Sequence, residues 1–217
     1  MNTQPLVSVL EASNRQGIDY YTDYPLRKWA LVERIRQMTR DNVCGELCSL
    51  RLTWQRPKKL ASDEQSFLYQ KLPWLLDAAW FLADAPLTTL HIERVPREQN
   101  LFALAMFENG VAAEIEMNES LPDSMPATSF IKANFTHGHL TNQPVVGHFN
   151  EEGAILADDT SCERLLIENR DWDDCGDEMA ICHRSLLHAI EKGKHPQGPL
   201  NSTAIIMAIK QALEERQ

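Results

Sequence analysis

The sequence predicts an α+β fold: a large, mostly antiparallel, open β-sheet with helices packed on one face. Three observations carry that prediction. The pair Asn109-Gly110 separates two β-like runs, which is the strongest local signal for a hairpin. Most segments between residues 48 and 167 are short apolar runs or alternate with period two. Helical patterns fall outside that region or between its first two strands, with two of them closing the chain.

The elements follow in order. Residues 5–16 read as a short helix stopped by Gly17, and residues 18–24 as a tyrosine-rich strand. Pro25 opens a helix through Arg40, with Trp29, Val32, Ile35 or Arg36, and Met38 at helical spacing. Gly45 separates it from a strand in which Cys48, Leu50, Leu52 and Trp54 face inward and Ser49, Arg51 and Thr53 face outward. Polar residues 62–71 lead to an apolar helix over 72–83, ended by Asp84-Ala85-Pro86.

Strands are expected next at 88–95, 101–107 and 111–117. In the last, Val111, Ala113, Ile115 and Met117 alternate with polar or small residues, so one face is covered and the other wet. The arm 101–107 is apolar on both faces and is expected at the centre of the sheet. Further strands are expected at 128–135, 145–149 and 164–167. Asp173 and Asp174 introduce a helix to Ile190, and a final helix runs from about 201 to 215. Residues 1–44 form a helical and linker segment and 45–217 the sheet domain, together one compact unit.

Composition narrows the function classes. With 43% hydrophobic residues the 217-residue chain has material for a core, and no apolar run approaches the ~20 residues of a membrane span. A net charge of −10 repels phosphate backbones, and the basic residues Arg27, Lys28, Arg34, Arg36 and Arg40 are interleaved with apolar ones as on a solvated helix face. Arg56, Lys58 and Lys59 form the other basic group. Nucleic acid and membrane are therefore not expected partners. Five scattered cysteines and no basic-then-apolar leader fit a reduced, cytoplasmic protein.

Several clusters have a chemical and a structural reading. Cys44 and Cys48 are four apart, but structural zinc needs paired ligand spacing, so buried thiols are the simpler reading. His137 and His139 share one side of a strand and cross-strand pairing would bring His148 near, yet spacing fixes no further ligand. Exposed histidines are therefore preferred over a metal site. The run Asp171, Asp173, Asp174 and Asp177 lacks calcium-loop offsets and reads as a helix N-terminus. Cys162, Cys175 and Cys182 have no local histidine at catalytic spacing. Trp74 and Trp80 read as core, with Trp74 a possible pocket wall.

Four stretches give a resemblance. Tyr24-Pro25-Leu26-Arg27, a helix and Cys44-Gly45-Glu46-Leu47 come first, then Trp74-Leu75-Leu76-Asp77 running into Phe81-Leu82 and Pro86-Leu87. Phe107, Asn109 and Gly110 mark the hairpin, and residues 178–187 with Gly193, Pro196 and the last helix close the pattern. Together they resemble the C-terminal, substrate and oligomerisation, domain of the Gfo/Idh/MocA oxidoreductases. Members of that family normally begin with a Rossmann domain carrying Gly-x-Gly-x-x-Gly, and no such motif occurs in these residues.

The resemblance also implies where chemistry would sit. The family's Glu-Lys-Pro lysine falls at Gln4 in Thr3-Gln4-Pro5, although the interval to Tyr24 is shorter than usual. Its Asp-x-Gly-x-His-x-x-Asp motif, registered on Asp77, puts Gln70 at the first aspartate, Leu72 at the glycine and Trp74 at the histidine. Neither glutamine nor tryptophan works as a general acid or base near neutral pH. No catalytic residue is expected, no cofactor is bound by this chain alone, and no metal is expected. Arg27, Lys28, Trp74 and Asp77 are the candidate substrate-pocket residues. The expected function is a non-catalytic binding or oligomerisation protein, homodimeric through the sheet. The alternative is the substrate-binding subunit of a split oxidoreductase, with a Rossmann-domain partner supplying NAD(P) for a sugar-like or other small polar substrate.

Overall fold

The structure is a computed structural model, and it describes residues 24–62, 67, 71–95, 99–143, 153–167, 180–181, 184, 187–188 and 200–214. The segments predicted at 5–16 and 145–149, nearly all of 18–24 and most of the helix from 173 to 190 lie outside the described residues.

The helix expected from Pro25 is divided in two. A 3-10 turn spans Pro25–Lys28, Trp29 is extended at ψ 134°, and α1 then runs over Ala30–Asp41. Leu31, Val32, Ile35, Arg36 and Met38 are its buried residues. Asn42, in the left-handed region at φ 53°, ends it, because a short polar side chain tolerates that backbone better than most. Helix α2, Leu72–Ala83, matches its predicted bounds and is buried almost all round. Asp84 ends it in the same left-handed manner at φ 56°, with its N–H on the Trp80 carbonyl at 3.0 Å. Helix α3 covers Leu200–Glu214.

Eight strands form one sheet: β1 Leu47–Pro57, β2 Leu87–Arg94, β3 Asn100–Phe107, β4 Ala112–Leu121, β5 Thr128–Phe135, β6 Gly138–Thr141, β7 Ala154–Asp158 and β8 Cys162–Leu165. Their order is β2-β3-β4-β1-β5-β6-β7-β8. Among the described strand pairs β1 and β4 alone are parallel, and the rest are antiparallel. Helix α2 packs on β1, β3 and β4, α1 packs on α2, and α3 packs on α2 and β2. The helices therefore share one face, over a core that includes Leu52, Leu75, Ile115 and Ile131. The expected α+β architecture stands, with β7 a short strand that periodicity does not register and β6 read only through the alternation of His137 and His139.

Three local expectations need correction. Alternation puts Cys48 inward, but it is exposed, because a register shift between Leu47 and Ser49 against β5 interrupts the alternation there. The arm now named β3 is second from the edge rather than central, and Phe102 and Leu104 on its outer face are 39% and 46% exposed. Only Gly110 of the hairpin pair has positive φ, at 84°. Asn109 instead anchors the turn, its Nδ2 donating to the Ala83 carbonyl at 2.9 Å and so tying the hairpin to the end of α2.

Candidate functional site

The N-terminal half of α2 crosses the sheet near the C-terminal part of β1, and side chains from both meet there. Along β1, period two sends Leu52, Trp54 and Arg56 to the helix face, where all three are buried. Registry pairs Trp54 with Met117 of β4 and Ser129 of β5. The core face thus changes from aliphatic at Leu52, Ile115 and Ile131 to aromatic and polar one row further on.

Trp74 lies in this row's cover and is 7% exposed. The Lys71 ammonium sits 4.6 Å from the Trp74 ring centroid and 4.9 Å from that of Trp54. The Arg56 guanidinium is 4.8 Å from the Trp54 ring. These separations are within the ~6 Å range of cation–π attraction. The place that the resemblance assigns to a histidine is therefore a packed stack of two indoles and two cations. At the same end of β4, the buried Glu119 accepts the Ser62 N–H and hydroxyl at 2.9 and 2.7 Å through Oε2.

One helical turn further along α2, Asp77 is fully buried. Both of its oxygens are taken by Arg27: Nε donates to Oδ2 at 2.7 Å and Nη2 to Oδ1 at 2.5 Å. Burial pushes the carboxyl up to about 6, against the opposing pull of the Arg27 hydrogen bonds and charge. The same guanidinium lies 5.1 Å from the Phe81 ring and 5.6 Å from Tyr24. Arg36 of α1 lies 5.0 Å from Phe81 and pairs with Asp84 at 2.5 Å. Asp77, Phe81 and Asp84 stand at i, i+4 and i+7 of one helix face, so two arginines bracket one ring and fasten residues 25–41 to α2.

The four proposed pocket residues thus separate into three environments. Arg27 and Asp77 form the buried fork, Trp74 belongs to the indole stack, and Lys28 points away as an exposed ion pair with Glu33 at 3.5 Å. Gln4 and Gln70 lie outside the described residues. Sequence reasoning missed Lys71 and the inward orientation of Arg56. The second was readable, since Arg56 follows Trp54 by two on an alternating strand. Trp80, unlike the buried Trp74, is partly buried and packs against the core, 6.5 Å from Phe107 between ring centroids.

The alternative clusters do not assemble a metal site: among the described residues no three His, Cys, Asp or Glu side chains are grouped to hold an ion. Cys44 is buried while Cys48 is exposed. His137 is exposed, with Nδ1 3.9 Å from Asp159, and lies in a turn rather than on a strand. His139 Nδ1 is 2.9 Å from Asn134 Oδ1, and burial, with Lys132 nearby, lowers its pKa. His148, the acidic run 171–177, Cys175 and Cys182 lie outside the described residues. No described helix is long and apolar enough to cross a membrane.

No family model matches the sequence, and no curated protein matches it. Solved structures do resemble the fold. An oxidoreductase from Desulfitobacterium hafniense superposes with a TM-score of 0.73 at 14% identity, over 100% of this chain and 69% of its own. An oxidoreductase from Agrobacterium radiobacter, solved with NAD+, L-tartaric acid and magnesium, gives 0.70 at 14%, over 96% and 67%. A 3-ketoreductase from Actinomadura kijaniata, solved with NADP, gives 0.67 at 16%, over 97% and 66%. This chain therefore has the fold of the C-terminal domain of Gfo/Idh/MocA-type oxidoreductases and spans about two thirds of such chains. At these identities the likeness is one of fold.

Proposed function

We propose that this chain is a non-catalytic member of the oxidoreductase fold group that binds a ligand or a second subunit rather than turning over a substrate. The observation that carries this reading is Trp74. An indole stands where the resemblance puts a proton-handling histidine, and it is 7% exposed beneath Lys71. The nearest described carboxyl along α2, Asp77, has both oxygens engaged by Arg27. General acid–base work needs a group that reaches substrate and exchanges its proton, and neither Trp74 nor the locked Asp77 fits that role.

The outer face of the sheet supplies an assembly surface in this reading. Phe102 and Leu104 expose apolar area there, beside Arg51, whose Nη2 donates to Glu114 at 2.6 Å, and Gln55, whose Nε2 donates to Glu116 at 2.8 Å. A face carrying both signs of charge around an apolar strip is self-complementary across a two-fold axis, so its occupant is a second copy of the chain. No cofactor is bound by this chain alone.

A second reading is favoured by two of the similar structures. Nearly the whole chain superposes on oxidoreductases solved with NAD+ and with NADP, which suits a substrate-binding subunit whose partner brings the nucleotide. One titration tests the first reading. The purified chain is mixed with NADH or NADPH and followed by melting temperature, alone and with sugars or polyols. Unchanged melting supports the first reading, and stabilisation by a dinucleotide without any partner overturns it.

A further inference from the structure

Lys71 stands immediately before α2, and its ammonium is held between two indoles from two different elements, Trp54 of β1 and Trp74 of α2. Both rings are more than nine-tenths buried, whereas Lys71 is half-buried, so its stem leads from solvent to the space between them. Stacked aromatic faces around one ammonium are the arrangement by which proteins recognise alkylated amines. Here the guest is the protein's own side chain.

We propose that Trp54 and Trp74 form a cation cage, closed by Lys71 in the resting chain, that accepts an alkylammonium ligand when Lys71 swings out. The proposal rests on reading this end of the sheet as a binding site rather than a catalytic one. Charge favours that guest class. Replacing one monocation by another leaves the field around Arg56 unchanged, and every group that already tolerates the Lys71 charge tolerates its substitute. An anionic or neutral guest would leave the indole faces without their cation. Two buried polar atoms at this end of the sheet take no hydrogen bond among the described residues, Trp54 Nε1 and Glu119 Oε1. Glu119 lies on the same sheet face as Trp54, two residues beyond its register partner Met117, and brings negative charge to that end.

The test uses the full chain and tetramethylammonium chloride, with sodium chloride matching ionic strength and tert-butanol as the neutral counterpart of similar size. Tryptophan fluorescence and ligand methyl line widths follow binding. Lys71→Ala, which empties the cage, is expected to bind tetramethylammonium about tenfold more tightly than the parent chain, with no competition from tert-butanol. Adding Trp74→Leu to that variant is expected to abolish binding. Should that double variant fail to fold, Lys71→Ala with Trp74→Phe decides, because the smaller ring keeps packing but attracts the cation less and should weaken binding. The proposal is overturned if Lys71→Ala binds no more tightly than the parent, if tert-butanol competes equally, or if neither Trp74 change weakens binding. These outcomes leave the dinucleotide titration, and hence the non-catalytic reading, to be judged separately.

Discussion

Arg27 and Asp77, fifty residues apart in sequence, form a two-pronged hydrogen-bonded ion pair in which the carboxylate is fully buried and the guanidinium side chain is 20% exposed. The asymmetry decides what each substitution costs. Removing the arginine strands a charge inside the protein, whereas removing the carboxylate lets the arginine turn towards water. Arg27→Ala is therefore expected to lose about 3–5 kcal/mol of stability and Asp77→Asn clearly less. Urea unfolding at neutral pH measures both. Equal losses would show that the pair does not carry the buried-charge penalty assigned to it.

The same carboxyl predicts a pH dependence with a definite sign. Its ordinary value is 3.8 and its folded value is about 6, so the folded state holds the proton more tightly than the unfolded chain does. That contribution favours folding fully below about pH 4 and is lost as pH rises through 6. Relative to Asp77→Asn, the parent chain should gain stability between about pH 7 and pH 4, by ~3 kcal/mol at most. Paired urea titrations across that range read the difference, and a flat difference would rule the shift out.

Much of this architecture is written locally. The alternation of Val111, Ala113, Ile115 and Met117 fixes which face of β4 is covered, and those four residues are all buried. The apolar run 72–83 gives α2 its bounds because Pro73 suits a first turn and Asp84 tolerates the left-handed exit. What periodicity misses depends on partners distant in the chain. The exposure of Cys48 follows from a register shift against β5, which no property of residues 47–49 announces. Lys28 and Arg27 are adjacent and chemically alike, yet one turns to solvent and the other enters the core, since only Arg27 meets Asp77. The stack of Lys71 on Trp54 likewise exists only once α2 is laid across β1.

Two glycines with left-handed backbones should respond differently to alanine. Gly110 has φ 84° and open space around a Cβ, so Gly110→Ala pays conformational strain alone, about 1 kcal/mol. Gly45 has φ 78°, and a Cβ there would collide with Thr136 Oγ1, which accepts the Glu46 N–H at 3.1 Å. Gly45→Ala therefore adds loss of that contact to the strain and should cost roughly 2–4 kcal/mol. Thermal unfolding of the two variants ranks them, and a larger loss at Gly110 would contradict the placement of the Gly45 turn against Thr136.

Leu104 tests the assembly surface. It is 46% exposed on the outer face of β3, next to Phe102 at 39%, and contributes nothing to the core beneath the helices. If a second copy covers this face, Leu104→Arg places a cation, and its symmetry mate, inside an isologous contact and splits the dimer. If the face is solvent in the working protein, the same change is nearly neutral, because surface substitutions usually stay within about 0.5 kcal/mol. Sedimentation equilibrium of both proteins, with circular dichroism to confirm equal folding, separates the cases. The expected result is a dimeric parent and a monomeric variant with unchanged secondary structure. A parent chain that sediments as a monomer at about 0.1 mM, a concentration at which a micromolar contact would be occupied, would remove the sheet face from the proposed function.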